Sequence, residues 1–224
     1  MPPIVLDDLQ YNGLVILRDT ARFSYGHDAV SLANFVRAKK GERFVDLGTG
    51  TGVIALLAHA KTGADALAVD IDPACCALAQ KSVRKNNLEA HIEVLCADMR
   101  ELSPAKLGTF DAAVCNPPYF AAGTESPDPS RQRSKFQGDC TLKDVVSCAA
   151  RLLKNGGRFF ACYPADFIAP LLYELQGQKL TPKRMRFVRS KADKPPYLVL
   201  VEAKKGARDG AVIEETTLEE HDGN

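Results

Sequence analysis

The chain has 224 residues, 46% of them hydrophobic, which suffices for one α/β domain with a continuous core. No apolar run approaches the ~18 residues of a membrane span, and the start MPPIVLDDLQ has neither a basic lead nor an apolar signal core, so a cytoplasmic chain without membrane association is expected. The formal net charge is +1, but without the five carboxylates between Glu214 and Asp222 the balance would be +6, a body that admits an anionic partner.

The run LQYNGLVILR alternates around Asn12-Gly13, both tolerant of positive φ, and predicts a small N-terminal β-hairpin. Asp28 then stands as N-cap before AVSLANFVRA, a helix expected to end near Lys39-Lys40-Gly41. Strand RFVDL (43–47), helix VIALLAHAK, strand ALAVDI (66–71), a helix over 73–85, strand IEVLCA (92–97) and strand FDAAVC (110–115) follow. This alternation predicts a parallel sheet with helices on both faces and ligands at the carboxyl ends of the strands. After a Pro- and Gly-containing loop, TLKDVVSCAARLLKNGG reads as a capped helix closed by Gly156-Gly157, followed by strand RFFACY and a helix over 165–176. RMRFVRS and YLVLVEA are joined by KADKPP, too short for a parallel crossover, so one C-terminal strand is reversed. Residues after Lys205 read as frayed.

The seven cysteines include no CxxC pair and read as reduced core residues. His27, His59, His91 and His221 share no metal-ligand spacing, so no metal is expected.

Strand FVDL runs into GTGTG and a helix, so backbone N–H groups at Gly48, Thr49, Gly50 and Gly52 face whatever binds above the strand. The spacing is G-x-G-x-G rather than the dinucleotide G-x-G-x-x-G, and Asp46 stands just before it. A carboxylate there repels a pyrophosphate but suits a ligand with an ammonium and a sulfonium, which favours S-adenosylmethionine. Asp70, with Ile71 beside it, ends the second strand where a carboxylate meets ribose hydroxyls, and Asp72 reads as a helix cap. Asp98, followed by Met99, ends the third strand and either accepts from the cofactor's adenine amino group or caps a turn.

The sharpest signal is Asn116-Pro117-Pro118-Tyr119 at the end of the fourth strand. An exocyclic or amide NH₂ is a poor nucleophile, because its lone pair is delocalised. Two acceptors, Asn116 Oδ1 and the Pro117 carbonyl, would hold both N–H bonds and turn the lone pair towards a methyl donor. Tyr119 would offer a ring face to the planar acceptor. Because a sulfonium already carries a good leaving group, positioning matters more than a strong base.

The glycine loop, Asp70, Asp98 and NPPY together resemble the class I methyltransferases that act on amino nitrogens. More narrowly, DDLQYNG, FSYGHDAVSLANFV, VDLGTGTGVIALL, CNPPYF, CTLKDVV, LLKNGGRF, PKRMRFV and LVLVEAKKG resemble, in order, the bacterial valine-tRNA adenine N6-methyltransferase family. The resemblance implies a Rossmann-like, seven-stranded, mostly parallel sheet with one antiparallel C-terminal strand. It divides the chain into a hairpin and lid helix over 1–40, a methyltransferase core over 41–205 and a flexible acidic tail over 206–224. It also implies a segment 23–28 lying over the cofactor, with Asp28 either a helix cap or a ligand to the methionine end. Related members carry an Arg-His-Glu run before the CTL segment, where this chain reads Lys135-Phe136-Gln137.

Basic residues gather at two places an RNA partner would need: Arg131, Arg133 and Lys135 after NPPY, and Lys183, Arg184, Arg186 and Arg189, with Lys179, Lys191 and Lys194, in the last hairpin. The resemblance points to adenine N6 in the anticodon loop of a valine tRNA. A release-factor glutamine amide needs the same two acceptors, but those enzymes are expected to carry a helical domain before the core. Enzymes acting on DNA adenine add a target-recognition domain, while a ribosomal RNA base remains chemically open. A binding protein that keeps the fold without turnover is the alternative of a different class.

Overall fold

The computed structural model describes residues 4–19, 25–117 and 140–218. Strands β1 (Ile4–Asp8) and β2 (Val15–Asp19) form the expected hairpin. Leu14 N–H donates to the Tyr11 carbonyl at 2.9 Å. Asn12 and Gly13 have φ of 50° and 71°, the paired left-handed conformation that matches the twist of a two-residue turn.

The core alternates β3 (Arg43–Leu47), α2 (Val53–Thr62), β4 (Asp65–Asp70), α3 (Pro73–Lys85), β5 (Ile92–Cys96), α4 (Pro104–Leu107) and β6 (Phe110–Cys115), after α1 (His27–Phe35). It continues with α5 (Leu142–Leu152), β7 (Leu153–Pro164), α6 (Ile168–Gly177), β8 (Leu180–Arg189) and β9 (Leu198–Lys205). With β10 (Val212–Ile213) at one edge, the sheet order is β10-β8-β9-β7-β6-β3-β4-β5, and β9 alone runs against its neighbours. Strand order reverses between β3 and β6, so the carboxyl ends of those two strands flank the crevice in which such sheets bind ligands.

Strand side chains alternate between two cores. Phe44, Phe160, Leu198 and Leu200 pack with Leu32 and Phe35 of α1 and Leu56 and Leu57 of α2. Val45, Leu47, Phe110, Phe159 and Val201 pack with Val145, Val146 and Leu152 of α5 and Leu171 and Leu175 of α6. The hairpin joins the first core through Ile16 and is pinned to the end of α3. Val15 and Leu17 donate their N–H groups to Asn86 Oδ1 and Ser82 Oγ, both at 2.9 Å, and Asn86 Nδ2 donates to the Val15 carbonyl at 2.7 Å. Among the described residues no helix is long and apolar enough to cross a membrane.

Three expectations are corrected. First, α1 begins at His27 with Gly26 at the N-cap, so Asp28 lies inside the first turn, and the helix stops at Phe35 rather than near Lys39. Its freed Phe35 carbonyl is taken at 2.8 Å by Arg184, 149 residues away, a cap that no local pattern announces. Second, Gly156-Gly157 does not close α5. That helix ends at Leu152, and Lys205 Nζ donates to the Ala150 and Leu153 carbonyls at 2.7 Å each. The two glycines lie in β7, where a Cβ on Gly157 would come within 2.9 Å of the Lys154 carbonyl oxygen and 3.3 Å of that of Asp111. Third, among the described residues the sheet has nine strands, not seven. Past Lys205, β10 (Val212–Ile213) and β11 (Thr217–Leu218) pair in parallel with β8, so this part of the tail is structured up to residue 218.

Candidate active site

Above the end of β3 the chain turns through Gly48, Gly50 and Gly52, with φ of 73°, 59° and 94°, a conformation that side chains with a Cβ rarely adopt. Gly48 and Thr49 N–H both donate to the Val69 carbonyl at 2.9 Å, tying the loop to the end of β4. A Cβ on Gly50 would project into open space, whereas one on Gly52, the N-cap of α2, would meet Ala79 Cβ at 3.4 Å. Gly50 is therefore free of its own protein's packing on the side where a ligand would lie against the backbone. Gly52 serves helix packing.

Asp46 is fully buried beneath the loop. Thr49 Oγ1 donates to its Oδ2 at 2.6 Å, and its Oδ1 has no hydrogen-bond partner. Burial pushes the carboxyl up to about 7; the Thr49 hydroxyl and the Ala55 N–H oppose the rise, and the nearby Asp70 charge adds to it. Asp70 Oδ2 accepts from Gly50 N–H at 2.8 Å and Oδ1 from Asp72 N–H at 2.9 Å, so this carboxylate shapes the loop as well as facing the crevice. Burial raises its pKa too, against those two backbone bonds. Ile71 is half-buried beside it, and Asp72 caps α3 by accepting from Ala74 N–H at 2.8 Å.

For Asp98 the turn cap is realised. It accepts from Arg100 N–H at 2.9 Å, and the Arg100 guanidinium grips both carboxylate oxygens, holding the acid below its ordinary range. Met99 is buried, and its carbonyl accepts from Arg151 at 3.2 Å.

At the end of β6, Asn116 is half-buried and Pro117 buried. Asn116 follows Cys115, which is in register with Ala161, so Asn116 stands beside Cys162 of β7. The fully buried Cys162 thiol donates to Asn116 Oδ1 at 3.0 Å. Burial pushes that thiol well above its ordinary value, and the charge of Asp28 adds to the shift, which puts the first turn of α1 near the same spot. Pro118 and Tyr119 lie outside the described residues, as do Arg131, Arg133 and Lys135-Phe136-Gln137. Asp46, Asn116 and Cys162 thus gather on the α1 and α2 side of the sheet, at the point where strand order reverses. Cys162 carries no sequence signal: its role follows from strand register, which a single strand does not encode.

Residues 21–166 match the family described as methyltransferase small domain. The chain belongs to that family. Among its relatives, a tRNA1(Val) (adenine(37)-N6)-methyltransferase of Parabacteroides distasonis is 28% identical over 86% of this chain and 81% of its own. An enzyme of the same name from Bacteroides thetaiotaomicron is 31% identical over 70% of this chain and 66% of its own. A solved structure of a predicted O-methyltransferase from Agrobacterium tumefaciens has a TM-score of 0.69 at 20% identity, covering 88% of this chain and 89% of that one, and bears out the Rossmann-like methyltransferase fold.

Elsewhere in this methyltransferase the basic C-terminal hairpin departs from the expectation of an open RNA-binding face. Arg184 is buried. It pairs with Glu202 at 2.7 Å and Glu214 at 3.3 Å and lies 3.6 Å over the Phe35 ring. Arg186 is held by Glu214 at 2.6 Å, Lys183 donates to the Arg208 and Gly210 carbonyls, and Arg189 donates to the Ala192 carbonyl. Arg184 is therefore a fold-holding residue rather than an RNA contact, because tertiary packing takes its charge inward. Lys191 and Lys194 are exposed in the β8–β9 connection, at the same end of the sheet as Asn116.

At the opposite end of the sheet, His59, Asp65 and His91 offer polar atoms within 4.8 Å of one another, which their sequence spacing does not announce. The two imidazoles stack with centroids 4.9 Å apart, His59 Nδ1 bonds the Ala64 carbonyl, and His91 Nδ1 bonds Asp65.

Proposed function

We propose that this methyltransferase transfers the methyl group of S-adenosylmethionine to N6 of an adenine in tRNA, in the anticodon loop of a valine tRNA. The observation that carries the reading is the adjacency of Asn116-Pro117, at the end of β6, to the glycine loop at the end of β3. The open space at Gly50 and the acids at 46 and 70 fit a nucleoside with an ammonium and a sulfonium. When bound, that cofactor supplies an electrophilic methyl group on a good leaving group.

The protein's part is positioning. Asp46 would receive the ammonium of the methionine end, Asp70 with Ile71 the ribose, and Asp98 with Met99 the adenine. The Gly48, Thr49 and Gly50 N–H groups, already donating to Val69 and Asp70, would shape the loop rather than meet the ligand. Asp28, in the first turn of α1, would close over the methionine end. Asn116 Oδ1 and the Pro117 carbonyl would accept the two N–H bonds of the target amine, directing its lone pair in line with the methyl group, and Pro118-Tyr119 would stack the base after it leaves its loop. Arg131, Arg133, Lys135, Lys191 and Lys194 would meet the RNA backbone. A cytoplasmic location follows from a tRNA substrate.

The relatives' names favour tRNA over the ribosomal RNA and release-factor readings. The test is transfer of a labelled methyl group to total tRNA lacking the modification, with nucleoside mass spectrometry and an Asn116→Ala control. N6-methyladenosine in one tRNA, lost with the control, is expected. Absence of tRNA labelling, or labelling indifferent to Asn116, overturns the reading.

A further inference from the structure

An asparagine used as an acceptor has a problem of orientation. Its carboxamide presents an oxygen or, turned over, an NH₂ that would repel the amine it should receive. Something must hold the oxygen side towards the substrate before it arrives. Free rotation about the last bond of Asn116 would leave only a fraction of molecules competent at any moment.

On the neighbouring strand, Cys162 is fully buried, and its Sγ stands 3.0 Å from Asn116 Oδ1. The contact is set by register. Cys115 pairs with Ala161, Ala161 with Val201 and Cys162 with Leu200, so the pair is held by a central part of the sheet and not by a loop. The thiol is protonated throughout the working pH range, burial being the main cause, and so has an S–H to give. An oxygen that accepts this S–H keeps a second lone-pair direction for the target N–H.

We propose that Cys162 is a positioning residue for methyl transfer: its S–H, donated to Oδ1, holds the Asn116 carboxamide with its oxygen turned to receive the substrate amine. The inference rests on the reading of Asn116 given above. It separates from simple packing because the two roles rank substitutions in opposite orders. Cys162→Ser keeps a donor but buries a hydroxyl, which tends to destabilise. Cys162→Val fills the space without a donor. Packing alone predicts that activity follows stability, with Val at least equal to Ser. Positioning predicts Ser near wild type and Val about tenfold lower in kcat, with cofactor affinity unchanged.

The experiment compares kcat, KM for tRNA, cofactor Kd and Tm for wild type, Cys162→Ser, Cys162→Val and Cys162→Ala, with Asn116→Ala alongside. A second readout needs no methyl acceptor: the Asn116 side-chain NH₂ pair, identified in ¹⁵N spectra by its loss in Asn116→Ala, should be sharp in wild type and Ser and broadened in Val and Ala. Kcat and line width moving together, against the order of Tm, supports the inference. A Val variant with wild-type kcat and sharp amide signals overturns it while leaving Asn116 in place. Turnover that survives Asn116→Ala overturns the catalytic reading itself.

Discussion

The rim formed by β3, β4 and β6 and the hairpin formed by β8 and β9 are both dense in charge, and they use it oppositely. At the rim, Asp46 lies buried beside the Thr49 hydroxyl and the Ala55 N–H, Asp70 is bound by backbone N–H groups, and among the described residues no cation pairs with either. In the hairpin, Arg184 and Arg186 are answered by Glu202, Glu214 and the Phe35 ring. The rim holds charge ready for a ligand, while the strands of the hairpin consume the charges of Arg184 and Arg186 within the fold and leave Lys191 and Lys194 exposed in the connection. A run of like charges in a sequence therefore says nothing of availability until the partners are known.

The sharpest way to break this contrast is at its two extremes. Asn116→Ala should lower kcat by roughly a hundred- to thousandfold, the scale of losing one group aimed at the reacting atoms, with cofactor Kd nearly unchanged by calorimetry. Arg184→Ala should instead act on stability. It strands Glu202 and the Phe35 carbonyl, so the urea unfolding free energy should fall by about 3 kcal/mol, while kcat of the folded fraction is retained. If Arg184→Ala leaves stability intact and removes RNA affinity, the hairpin is a binding face after all.

Asp46 sharpens the comparison through pH. Its folded pKa is about 7, above the ordinary 3.8, so the folded chain holds this proton more tightly than the unfolded chain. The site's contribution to stability is full below about pH 4 and is lost as pH rises through 7. Asp46→Asn should flatten that part of the decline, read from urea midpoints across this range. An identical slope in both proteins would mean that Asp46 ionises as an exposed acid does.

Smaller effects should separate exposed from consumed lysines. Lys191→Ala and Lys194→Ala should each weaken RNA binding a few-fold and reduce the salt slope by about 1, whereas Lys183→Ala should leave both unchanged. Glu214→Gln, at the edge of the sheet, should cost well under the Arg184 effect and be seen first as faster amide exchange in β10 and β11.

What the sequence by itself determined is local and periodic. The Asn12-Gly13 turn, the β3 to β6 alternation, the glycine loop, the acids after successive strands and Asn116-Pro117 are all carried by neighbours a few residues apart, where φ preferences and side-chain period act directly. Tertiary structure alone decided where α1 and α5 end, because Arg184 and Lys205 cap them from far along the chain. It also decided that residues 212–218 join the sheet, that Asp98 is gripped by Arg100, that His59 stacks on His91, and that Cys162 meets Asn116. Each of these contacts depends on strand register or on a side chain's reach across the fold. A charge or a thiol has no assigned partner until the sheet closes around it.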